Sequence, residues 1–144
     1  MTLRAVYAPA PTMNPDDRDL LRAVEDLTFP AARFGHREHV RLAWIVLAAQ
    51  PDLAKGGVRF VRALRRYVDH VGAADKYHET LTWAYLAIIR EAMEGRDDPD
   101  SEAFVAAHPE LLDHRGGALA RRYDVDAVTA DPRARRVFVL PRRA

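Results

Sequence analysis

The chain has 144 residues, of which 49% are hydrophobic and 30% charged, with a net charge of +1 and no cysteine. That length suits one compact domain, and the missing thiol excludes disulfides, thiolate metal sites and cysteine nucleophiles, so any metal must be held by histidine and carboxylate. With no run of about 18 apolar residues and no charged-then-apolar leader pattern, the expectation is a cytoplasmic protein without a membrane span.

Residues 1–13 carry Pro9 and Pro11 without periodicity and are expected to form a flexible arm, leaving 14–144 as a single helical domain. Asn14-Pro15-Asp16-Asp17 then marks a helix start, with a cap residue, proline at the first helical position and acids where the helix dipole favours them. This first helix is expected over Pro15 to Leu27, with Leu20, Leu21, Val24 and Leu27 as its apolar stripe. Thr28-Phe29-Pro30 ends it, and Ala31 to Gly35 connects to a second helix from His36 to Ala49, stopped at Gln50-Pro51 because the residue before proline disfavours helical geometry.

Lys55-Gly56-Gly57 predicts a light break before a third helix, which reaches about Val71 and is closed by Gly72. The fourth helix is expected from Lys76, capped by Asp75, to Glu94, with His78, Leu81, Tyr85, Ile88 and Ala92 on one face. Beyond the acidic loop Gly95 to Pro99, a short helix should begin at Asp100-Ser101-Glu102 and another over Asp124 to Ala130. Val137 to Leu140 is too short to imply a sheet.

Short loops between four helices favour an up-and-down four-helix bundle, with additional short helices at the C-terminus. The second and fourth helices then run in one direction and begin at one end. His36 and His39, three residues apart on one face, would stand level with His78 in the interior. Three imidazoles in a core need partners, an ion or a ligand. The expected site is a divalent transition metal (zinc, iron, manganese or copper) held by His36, His39 and His78, with Glu38 or Glu79 as the acid–base group and an open position for water or substrate. The alternative for each histidine is a hydrogen-bonded core or capping role.

Other residues point less sharply. Tyr77, Tyr85 and Thr82 could orient a substrate or an imidazole, and His70 could approach from the third helix. Lysine and arginine number 14 against 18 acids over residues 1–114, and 8 against 3 over 115–144, so the basic excess lies in the tail. No aromatic interleaving, helix-turn-helix or zinc-finger spacing accompanies those arginines, so there is no clear nucleic-acid signal. Phosphate-loop, Gly-x-Ser-x-Gly and His-Glu-x-x-His motifs are absent.

The blocks Phe34-Gly35-His36-Arg37-Glu38-His39, Lys76-Tyr77-His78-Glu79-Thr80 and Ala134 to Pro141 resemble an uncharacterised family of small helical bacterial proteins. The resemblance implies no activity. The leading expectation is a metal-dependent enzyme acting on a small molecule. Beside it stand metal-free acid–base catalysis by the same histidines and a non-enzymatic helical binding or interaction module. A homodimer through the Trp44 or Trp83 face is a further expectation.

Overall fold

Asn14 starts the first helix as its sequence suggests: the side chain accepts from the Asp16 backbone N–H at 2.9 Å, with Pro15 next to it and two acids in the first turn. In the computed structural model, which describes residues 13–113 and 115–142, this helix is α1, Pro15–Glu25. It is followed by α2 (His36–Ala49), α3 (Leu53–His70), α4 (Glu79–Met93), α5 (Ser101–Ala107), α6 (Val125–Ala130) and α7 (Pro132–Arg136). The described residues are all-helical, without a strand. Apart from Met13, the expected N-terminal arm lies outside them.

Helix α2 is the centre. It buries Val40, Leu42, Ala43, Ile45, Val46 and Leu47, positions spread around the cylinder, and packs against α1, α3, α4 and α5. A helix apolar on more than one face has to be surrounded. Each such side chain taken fully from water contributes roughly 1.5–3 kcal/mol. Helix α3 is amphipathic instead, turning Phe60, Ala63, Leu64 and Tyr67 inward. Opposite polarity of α3 and α4 follows from their contacts: Arg90 reaches the Pro51 carbonyl, Trp83 lies over Gly57 and Arg65 lies over the Tyr77 ring.

Three boundaries differ from expectation. Helix α1 ends at Glu25, two residues before Leu27, because the Thr28 and Phe29 N–H groups both bond the Ala23 carbonyl and Leu27 takes a left-handed φ of 64°. Helix α3 runs straight through Lys55-Gly56-Gly57. The Asp52 carboxylate caps the Lys55 N–H, and the two glycines serve close packing: a Cβ on Gly56 would stand 2.5 Å from the Gln50 carbonyl oxygen, and one on Gly57 2.3 Å from the Trp83 ring. Helix α4 starts at Glu79, since Ala74–Lys76 forms a 3-10 turn and His78 is the cap.

The C-terminal segment folds back over the start of α4. Thr80, wholly buried, donates its hydroxyl towards the Ala134 and Val137 carbonyls at 2.7 and 3.0 Å and accepts from the Val139 N–H at 3.0 Å. Arg135 reaches back to the Asp75 carbonyl at 2.8 Å. Val137 is extended, at φ −129° and ψ 138°, and Thr80 holds it and Val139 by hydrogen bonds in place of strand pairing.

Candidate functional site

The three histidines are not gathered. His36 packs its ring on Tyr85, with centroids 5.1 Å apart, and its Nε2–H donates to the Leu111 carbonyl at 2.7 Å. Tyr85 lies seven residues beyond His78, which is about 10 Å along the helix. The stagger between α2 and α4 therefore leaves His78 well past the level of His36. His39 donates its Nδ1–H to the Gly35 carbonyl at 2.9 Å and lies against the Phe34 ring.

His78 uses both nitrogens. Nδ1 accepts from the Leu81 N–H at 3.1 Å, capping α4, and Nε2–H donates to the Val128 carbonyl at 2.9 Å, tying α6 to that cap. Among the described residues, no group of three or more histidine and carboxylate side chains is placed to hold a metal ion.

Both His39 and His78 are held below the ordinary imidazole pKa of 6.5, chiefly because burial disfavours the charged ring. For His78 the geometry agrees, since a proton on Nδ1 would face the Leu81 N–H. A lowered folded-state pKa means that the unfolded chain binds the proton first. The stability contributed by neutral His78 is therefore complete above pH 6.5 and is lost as the pH falls towards the folded-state value. Thermal melts should show a falling midpoint between pH 7.5 and roughly 5, with a smaller fall in His78→Asn, which retains a capping oxygen. Equal pH dependence in the two proteins would show that His78 is not the group responsible.

The carboxylates nearest the histidines are placed differently from each other. Glu79 is occupied: its Oε1 accepts from the Tyr77 hydroxyl at 2.5 Å and from the Trp83 indole N–H at 3.1 Å. Burial, and with it this pairing, drives the Tyr77 hydroxyl pKa far up. Glu38 is half-buried in the first turn of α2, where its charge slightly favours protonated His39. The Tyr85 hydroxyl, buried and without a hydrogen-bond partner among the described residues, is pushed up to about 12 by burial and by Asp113. His70 is exposed at the end of α3.

Two features had no counterpart among the expected sites. The first is a buried polar junction. Asp17, 1% exposed, accepts from the Ser101 N–H at 2.8 Å and the Ser101 hydroxyl at 2.5 Å, while Arg41 reaches Asp17 at 3.4 Å and Ser101 at 3.0 Å. It binds α1, α2 and α5 together.

The second is a groove of about 500 Å³ lined by the start of α1, the last two turns of α2, the end of α4 and the loop after it. Trp44, Ile45, Ala48 and Met93 form its apolar wall, and Arg90, Glu94, Arg96, Asp97 and Asp98 its rim. Both rim arginines are spent internally, Arg90 on Pro51 and Glu94, Arg96 as a fork on Asp98 at 2.9 Å. Asp97 is exposed and makes no ion pair among the described residues, so the rim presents a net acidic edge. The signal for it in the sequence is Trp44, which lies off the buried stripe of α2.

Compared with known proteins, the chain matches no family model, no curated protein and no solved structure. No helix among the described residues is long and apolar enough to cross a membrane.

Proposed function

We propose that this protein is a helical binding domain for a small amphipathic molecule, with an apolar body against Trp44 and Met93 and a neutral or cationic head at the Asp97 edge. The observation that carries this reading is the groove, whose volume of about 500 Å³ falls within the roughly 300–1,000 Å³ typical of ligand sites. It combines an aromatic wall with a few polar groups, the composition that fixes a ligand's orientation. On this reading α1 to α4 form an up-and-down bundle in a cytoplasmic protein, and the histidines fasten the C-terminal helices to it. A homodimer through the Trp44 face would cover the same groove, so ligand binding and dimerisation would compete.

The test is a ligand-observed NMR screen of amphipathic amines and their neutral analogues against the parent and Ala49→Trp. Ala49 is exposed at the groove, so a bulky side chain there fills the site without touching the core. Binding lost in the variant, at unchanged circular dichroism, is the expected result. Equal binding by both proteins would remove the groove from consideration.

A second reading keeps a metal-dependent enzyme acting on a small-molecule substrate. It is favoured by His39, whose Nδ1–H is donated to a backbone carbonyl, the arrangement that leaves Nε2 basic and oriented in metal-ligating histidines. Zinc, iron, manganese or copper would be held by His36, His39 and His78, with Glu38 or Glu79 moving a proton. His78 would first have to give up its cap and its bond to Val128. About one equivalent of metal in the purified untagged protein, lost in His36→Ala, His39→Ala and His78→Ala, is the outcome this reading requires. Metal content unaffected by those substitutions would dismiss it.

A further inference from the structure

Because α3 continues through its glycines, Lys55 comes into register with Arg59, Arg62 and Arg66. These four stand at i, i+4, i+7 and i+11, within about 60° of one another around the helix, and spaced by about 6, 4.5 and 6 Å along it. All four are exposed, and together with Glu25 of α1 they line a second groove of about 290 Å³. Helix α3 carries Lys55, Arg59, Arg62, Arg65 and Arg66 against Asp69 alone, five minus one, or +4, in a chain whose total is +1. Opposing charge is scarce here. Arg59 is held by Glu25 at 3.1 and 3.2 Å, whereas Lys55 and Arg62 make no ion pair or side-chain hydrogen bond among the described residues.

We infer that this face of α3 binds the phosphate backbone of a nucleic acid, without base selectivity. Four aligned cations over about 16 Å match about five phosphates of one strand, which are spaced about 3.4 Å along the duplex axis. Gly56 and Gly57 are buried against Gln50 and Trp83, so the exposed side of this stretch is carried by Lys55, Arg59 and Arg62, with Val58 among them. An anionic membrane is the weaker fit, because an interfacial helix needs an apolar face beside its cations, and Val58, 48% exposed, is the large aliphatic residue showing on α3. Glu25 acts as a built-in competitor for Arg59. Removing its charge should strengthen binding, a result that a merely solvated basic face does not predict.

The experiment is fluorescence anisotropy with a labelled 20-base-pair duplex and its single strand, measured from 50 to 200 mM salt. Four phosphate contacts predict a log–log salt slope near −3.6 for duplex, about a 150-fold loss over that range. Lys55→Ala/Arg62→Ala should reduce the slope by about 2, Glu25→Gln should bind several-fold more tightly, and Arg133→Ala/Arg136→Ala should match the parent. Neither double variant touches the buried core. Absence of binding to either nucleic acid at 50 mM salt overturns the proposal, as does binding that is lost in the Arg133/Arg136 variant, or binding to anionic phosphatidylserine vesicles in place of nucleic acid.

Discussion

Asp17→Ala should lower the unfolding free energy by about 3 kcal/mol, through the loss of a buried acceptor whose donors stay behind. The carboxylate accepts from the Ser101 N–H and hydroxyl and faces the Arg41 guanidinium, in a site where Asp17 and Ser101 are 1% and 0% exposed. After substitution the Ser101 N–H at the start of α5 has no carboxylate, and Arg41 keeps Glu102, at 3.3 Å, as its remaining acid. Asp17→Asn should also destabilise, because an amide presents a donor to donors. Urea unfolding followed by circular dichroism measures both. A midpoint unchanged in Asp17→Ala would mean that the junction is solvated and contributes little. Because Asp17 also borders the groove beside Trp44, Ala49→Trp is the variant that separates ligand binding from stability.

Thr80→Val should cost about 2 kcal/mol, from depriving the Ala134 and Val137 carbonyls and the Val139 N–H of the buried hydroxyl that serves them. Valine keeps the shape of the side chain but removes the hydroxyl that serves Ala134, Val137 and Val139. The effect should be uneven: amide exchange at Val139 should quicken more than exchange at Leu42 or Ile45 in α2, since opening the C-terminal segment is a smaller event than unfolding the core. Uniform acceleration throughout would show that the segment and the core open as one unit, and that Thr80 is no local fastening.

The sequence was most legible where periodicity and caps agree. Asn14-Pro15, the apolar wealth of α2 and the helix starts expected at Asp100 and Asp124 all place helices where the structure has them, within a residue. Glycine misled at Gly56-Gly57, because local propensity treats it as a breaker while Gln50 and Trp83 need its missing Cβ. The expectation that His36, His39 and His78 meet follows from periodicity and short loops, which fix faces and directions. Directions do not set axial register, and His36 comes level with Tyr85, while His78, extended at φ −134°, caps α4 from outside.

Asp17 and Ser101 are 84 positions apart in the chain. Each has a local explanation, first-turn acid and helix-start residue, which hides the long-range bond. The groove is assembled from three stretches, 13–17, 44–51 and 90–99, that no sequence spacing relates.

Ligand binding in the groove beside Trp44 is tested most directly by a two-dimensional amide NMR titration with a small molecule selected in the screen. Chemical-shift changes should concentrate at Trp44 to Ala49 and at Arg90 to Asp98, with the amides of His36, His39, His78 and Tyr85 left in place. Changes concentrated instead around Phe34 to His39 and Tyr77 to Tyr85 would contradict it, moving the site to the histidine end and the groove to the status of a surface feature.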